Sequence, residues 1–154
     1  MCFSKLFKKK EELPADYPVY QIRWEDLKTV MDSYNLELML KDQFKPDSYI
    51  YFTGRLDWDK LLPYLTYSAE LYAEVERRDC DDYSKKASAD AAWLFGLGCI
   101  QVWGDTPYGR HAFNLVITSP TTVKIFEPNA GFECAGELMD LENEYGWKAD
   151  SWKP

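Results

Sequence analysis

The sequence predicts an α+β fold, and three observations carry that expectation. Apolar residues recur at helical spacing through the N-terminal part of the chain. After about residue 98 the period changes to two, and turn residues punctuate the segments. Helices first and strands afterwards is the order of an α+β domain rather than of alternating βα units.

Residues 1–17 read as a basic flexible tail. Phe3, Leu6 and Phe7 are interspersed with Lys5 and the run Lys8–Lys10, and Pro14 and Pro18 interrupt any regular element. A weak amphipathic membrane contact is the other reading of that tail. Residues 18–154 then form a single domain. In WEDLKTVMDSYNLELML (24–40), Trp24, Leu27, Val30, Met31 and Tyr34 fall at helical spacing, so the segment begins as an amphipathic helix. Lys45 to Ser48 make a turn, and SYIYF (48–52) is a short strand. The stretch 56–78 reads as largely helical, with Leu61, Leu65, Ala69, Tyr72 and Glu76 on one stripe and Pro63 in a first turn. A second helix runs from about Asp82 to Phe95 and is stopped by Gly96 and Gly98. GCIQVWG (98–104) is a strand, and HAFNLVITS (111–119) with TTVKIFEP (121–128) alternates around Ser119 and Pro120 as a β-hairpin. The acidic remainder carries a short helix near Gly136–Tyr145.

The composition narrows the function. A net charge of −8 argues against nucleic-acid binding, which needs basic patches to displace counterions. It suits a hard cation better. None of the four cysteines, Cys2, Cys80, Cys99 and Cys134, has CxxC spacing, which argues against zinc. They read as free thiols in a reducing compartment. No secretory leader and no membrane-spanning run is visible, so the expected place is the cytoplasm and no stable membrane insertion is expected.

One constellation carries chemistry. Cys80 stands at a helix entrance, where exposed N–H groups favour thiolate, although Asp79, Asp81 and Asp82 crowd it with negative charge. The sole histidine, His111, opens the first hairpin strand. A thiol and an imidazole so placed are what a thiol hydrolase needs, with a third group to orient the ring. If the hairpin turns through Ser119–Thr121, Thr118 faces Thr122 and His111 faces Asn129, with Glu127 diagonally across; a two-residue slip puts Glu127 directly opposite. Both Glu127 and Asn129 are chemically suitable. The bland alternative is that Cys80 is a structural thiol and that Asp81 and Asp82 simply favour the helix N-terminus.

CDDY (80–83), HAFN (111–114) and FEPN (126–129) together resemble the cysteine-protease domain at the C-terminus of a mushroom agglutinin, and the stand-alone proteins of phages and bacteria labelled lectin MOA-related. The wider class is papain-like and transglutaminase-like. The resemblance covers roughly residues 18–132. It implies a papain-like or transglutaminase-like core, with the nucleophile at a helix start packed on a small antiparallel sheet. It also implies Cys80 as nucleophile, His111 as general base and Glu127 as orienter, in a peptidase acting on a peptide or protein. Asn129 stands where the family pattern leads one to expect Gln, so its role stays open. Gln43 is an oxyanion-hole candidate by analogy alone. Calcium activation is implied as well, with Asp79, Asp81 and Asp82 as ligands and Asn129 or Glu133 arriving from the hairpin end. Trefoil repeats of the carbohydrate-binding kind are missing from the sequence, so lectin activity is not expected. Two alternatives stand beside the peptidase. One is a noncatalytic binding or structural module, in which the aromatics near Tyr108, Trp147 and Trp152 are exposed and matter more than Cys80. The other is a transglutaminase-like transamidase or deamidase.

Overall fold

The computed structural model describes residues 13–39, 47–73 and 77–154. Cys2, Gln43, most of the basic tail and Glu76 lie outside the described residues. The order of elements is β1 (Tyr20–Arg23), α1 (Trp24–Ser33), β2 (Glu37–Leu38), β3 (Tyr49–Phe52), α2 (Arg55–Leu61), α3 (Cys80–Asp90), β4 (Cys99–Thr106), β5 (Gly109–Ser119), β6 (Thr122–Phe126) and β7 (Lys148–Lys153). The α+β reading holds.

Five strands form the main sheet in the order β2-β7-β4-β5-β6. It is antiparallel except for the parallel pair β2–β7. β1 and β3 make a separate antiparallel pair. Strand alternation divides the core between the two faces of the sheet. Ile100, Val102, Phe113, Leu115, Ile117, Val123 and Ile125 pack with Leu27 and Met31 of α1. Cys99, Val116 and Phe126 pack on the other face with Trp58 and Leu61 of α2 and Ala87 of α3. Trp58 is fully buried, and its indole N–H is satisfied by the Ile117 carbonyl at 2.9 Å. Leu13 and Tyr17, which fall in the expected tail, pack against this second core, and the Tyr17 hydroxyl donates to the Phe95 carbonyl at 3.1 Å.

α1 starts with Glu25 and Asp26 in its first turn, favourable at the positive end, and stops where Asn35 adopts φ 57°. α3 widens into a π-helical turn over Ala91–Phe95 and ends at Gly96 with φ 66°. That agrees with the expected helix to Phe95.

Three expectations are corrected. Residues 56–78 are not one helix: α2 is followed by short 3-10 turns at Leu62–Tyr64 and Ala69–Leu71, and the chain between them pairs at Tyr67 with Asn129. Tertiary pairing there overrides helical propensity. The region from Gly136 to Tyr145 is turns and isolated bridges rather than helix, because Ile125 pairs with Met139 and Glu142 with Lys148. Trp147 and Trp152 are buried, not exposed; of the three aromatics named, Tyr108 alone faces solvent. Their burial follows from β7, an unforeseen strand that lies inside the sheet between β2 and β4.

Candidate functional site

The end of the sheet where β5 begins and β6 finishes gathers the polar residues. β5 and β6 pair as Asn114↔Phe126, Leu115↔Ile125 and Ile117↔Val123, and the Thr118 hydroxyl donates to the Thr122 carbonyl. This is the unslipped register. Carried past the last pair, it sets His111 against Asn129 with Glu127 on the diagonal, and the diagonal is bridged by a bond of 2.9 Å between His111 Nε2 and Glu127 Oε2.

Glu127 is held from several sides. Its Oε1 accepts the Asn129 backbone N–H at 2.7 Å, and its carbonyl accepts the Gly136 N–H at 2.9 Å. The next residues are fixed by the Tyr67 N–H on the Pro128 carbonyl and the Ala130 N–H on the Tyr67 carbonyl. Asn129 therefore serves the pair through its main chain, while its side-chain Oδ1 accepts the Gly131 N–H at 2.9 Å.

The thiol reaches this pair from the other side. Cys80 is the first residue of α3 and half-buried, and it lies near enough to His111 to help raise the ring's pKa. Nε2 is taken by Glu127, so Nδ1 is the ring nitrogen left open. Buried polar contacts sew α3 to the strands that carry its partners. Ser84 Oγ donates to the Phe113 carbonyl at 2.9 Å, Asn114 Nδ2 donates to the Ser84 carbonyl and Ser88 Oγ, and Gln101 Nε2 donates to the Asp81 carbonyl at 3.0 Å. Ser84 and Asn114 are fully buried, so each lost bond would leave a polar group without water.

Aromatic rings box the imidazole. Phe132 lies at 4.9 Å, Trp147 at 5.2 Å edge-to-face and Phe113 at 6.3 Å between ring centroids. Sequence reading missed these three, together with Ser84, Gln101 and Asn114. For Trp147 the missed signal is the inward alternation Trp147, Ala149, Ser151.

This environment sets the charges. Burial pulls the His111 pKa down, but the hydrogen bonds and charges of Cys80 and Glu127 outweigh it and raise it to about 9. Burial pushes the Glu127 carboxyl up, while His111 and the Asn129 N–H pull it back. Burial pushes the Cys99 and Cys134 thiols up to about 12 and about 11, so both are neutral thiols in the core. Chemically, a thiol at a helix N-terminus joined to a cationic imidazole can act as a nucleophile toward an electrophile or as a hydrogen-bonding group toward a ligand.

Asp79, Asp81 and Asp82 each offer a carboxylate oxygen, all within 4.8 Å of one another. Such a donor set fits a hard cation. Lys85 already answers part of that charge, pairing with Asp81 and, at 3.5 Å, with Asp82. Asp81 is held below the ordinary carboxylate range by its hydrogen bonds with Asp79 and Lys85. Glu133 is exposed and falls outside this cluster.

No protein-family model matches the chain, and no curated protein matches it by sequence. Solved structures do. A complex of PSL1a with E64 superposes with a TM-score of 0.61 at 16% identity, over 87% of this chain and 51% of that one. The Polyporus squamosus lectin bound to a human-type influenza-binding epitope, Neu5Acα2-6Galβ1-4GlcNAc, superposes with a TM-score of 0.60 at 17% identity, over 87% of this chain and 49% of that one. The chain thus spans about half the length of the structures it matches. At this identity the likeness is one of fold, shared with about half of each of those chains. Two expectations change with it. Neither comparison supports the papain-like or transglutaminase-like part of the resemblance. The peptidase expectation is corrected as well, because a structure that shares the fold is a lectin with a glycan bound.

Proposed function

We propose that this chain is a binding module whose ligand is a saccharide held at the cleft around Cys80, His111 and Glu127. The fold shared with the Polyporus squamosus lectin over 87% of the chain is the observation that carries the reading. At this end of the sheet the partly exposed Phe132 lies beside the imidazole and offers an aromatic face, while the buried Phe113 and Trp147 fix the ring from behind. In this reading Cys80 is the group that meets the ligand, while Glu127, buried and already holding His111 and the Asn129 N–H, keeps the imidazole oriented. Calcium at Asp79, Asp81 and Asp82 is part of the same proposal, as a brace for the first turn of α3. None of the described helices is long and apolar enough to cross a membrane.

Calorimetric titration of the full chain with a panel of neutral and acidic oligosaccharides tests the reading. Saturable binding that His111→Ala or Glu127→Gln weakens supports it. Absence of binding across the panel, or turnover of an acyl substrate that depends on Cys80, overturns it.

A further inference from the structure

The stretch that carries Glu127 is not held by the sheet. The last formal pair of β5 and β6 is Asn114↔Phe126, so Glu127 and the residues after it lie past the ladder. They hang on two other points. The Glu127 carbonyl accepts the Gly136 N–H, and the main chain of Tyr67 bonds Pro128 and Ala130 at 2.7 and 2.9 Å. Where Tyr67 stands therefore decides where Glu127 meets His111.

Tyr67 is in turn fastened to α3. Its hydroxyl donates to Asp90 Oδ2 at 2.8 Å. Lys86 Nζ donates to the same oxygen at 2.7 Å and sits 4.7 Å over the Tyr67 ring, so the carboxylate is held from both sides. Burial and Asp90 push the Tyr67 hydroxyl well above its usual range, which keeps it a donor. The next residue is gripped as well: the Tyr83 hydroxyl donates to the Ser68 carbonyl at 2.7 Å, and the Tyr67 and Tyr83 rings meet edge-to-face at 6.3 Å. Tyr83, Lys86 and Asp90 follow one another at i, i+3 and i+7 along one side of α3. The helix itself is anchored, because its Asp81, Ser84 and Ser88 are bonded to β4 and β5.

These bonds close a circuit. It runs from β5 to α3 through Ser84 and Asn114, from α3 to Tyr67 through Asp90, from Tyr67 to Pro128 and Ala130, and from Glu127 back to His111 on β5. The main-chain bonds at Pro128 and Ala130 survive any exchange of the Tyr67 side chain, so the hydroxyl–carboxylate bond at Asp90 is the link a single oxygen controls.

We infer that Tyr67 is a positioning residue of this site: through its hydroxyl on Asp90 it fixes segment 127–130 against α3 and so sets the Glu127 carboxylate on the His111 ring. The inference deepens the binding reading above, in which Glu127 keeps the imidazole oriented, and Lys86 takes part as the group that steadies Asp90.

His111 is the sole histidine, so NMR titration of its ring in the full chain tests this directly. Tyr67→Phe deletes one oxygen and leaves the ring and the main-chain bonds. It should lower the His111 midpoint by at least about half a pH unit, as the carboxylate loosens from the ring. Asp90→Ala should lower it from the other end of the same bond, and the double variant should shift it no further than the larger single effect. Tyr17→Phe removes a tyrosine hydroxyl bonded to the Phe95 carbonyl, outside the circuit, and should leave the midpoint where it is. An unmoved midpoint in Tyr67→Phe overturns the inference. So does an equal shift in Tyr17→Phe, which would mark a general loosening, or two single shifts that simply add. Asp90 has a side chain 27% exposed, so Asp90→Ala reads the same link if Tyr67→Phe fails to fold, and an unmoved midpoint there overturns it equally. No saccharide enters the titration, so failure here leaves the binding reading standing.

Discussion

His111 Nε2 and Glu127 Oε2 stand 2.9 Å apart although the two residues are diagonal, not opposite, in their hairpin. The last formal pair of β5 and β6 is Asn114↔Phe126, so the contact is made beyond the ladder, where the chain after Phe126 is held by Tyr67 and Gly136 instead. A surface ion pair would contribute little, but here the side chains are only 11% and 1% exposed. The pair therefore couples protonation to folding.

The sign of that coupling is fixed by the direction of the shift. The His111 pKa rises from 6.5 to about 9 on folding. A raised folded-state value stabilises fully below the unfolded pKa and loses that contribution as pH climbs through the folded one. Stability should therefore fall between pH ~6.5 and ~9, by at most about 3 kcal/mol at 1.36 kcal/mol per unit. Urea denaturation at pH 6, 7.5 and 9 reads it directly. His111→Gln should flatten the profile; a wild-type profile already flat across this window contradicts the coupling.

Glu127→Ala is expected to cost about 3 kcal/mol, because it strips a buried imidazole and the Asn129 N–H of their acceptor together. Glu127→Gln keeps the shape and removes the charge. By NMR it should bring the His111 titration down toward its ordinary range while leaving the fold intact. An unmoved His111 titration would mean that the thiol, not the carboxylate, sets the ring's charge.

Thiol labelling separates Cys80 from the rest. Cys99 and Cys134 are buried and neutral at pH 7, whereas Cys80 is half-buried, at the first position of α3 and near His111. Iodoacetamide at pH 7 should modify Cys80 at least about tenfold faster than either, and His111→Ala should slow it. Peptide mapping by mass spectrometry gives the rates. Comparable rates for Cys80 and Cys134 would reduce Cys80 to a structural thiol.

How much of this was legible in the sequence depended on whether a signal was local. The register beyond the turn was the one expected and sufficed to bring Glu127 to His111, although the turn itself is tighter: Ser119 pairs with Thr122, and a register shift after Ile117 absorbs the difference. The helix expected from about Asp82 to Phe95 followed from its period and from Gly96, and it begins two residues earlier, at Cys80. Nothing local announced β7, which is short, polar in part and paired with strands far away in sequence. Without β7, Trp147 and Trp152 looked like surface aromatics, and the box around His111 was invisible. The break in 56–78 was hidden for the same reason: Tyr67 leaves the helical path to pair with Asn129. The peptidase expectation came from residue types and their order, which a binding cleft satisfies as well as a catalytic one.

The three aspartates give a test that needs no ligand. If Asp79, Asp81 and Asp82 bind calcium, millimolar calcium chloride should raise the melting temperature, sodium chloride of equal ionic strength should not, and EDTA should reverse the gain. Asp82→Asn should abolish the effect with little cost to the fold, since Asp82 is half-buried and its pairing with Lys85 is long at 3.5 Å. Lys85→Gln should strengthen it, because Lys85 supplies the competing positive charge. An unchanged melting temperature in calcium for both the natural chain and Lys85→Gln would leave Lys85 as the cluster's counter-charge and remove calcium from the proposal.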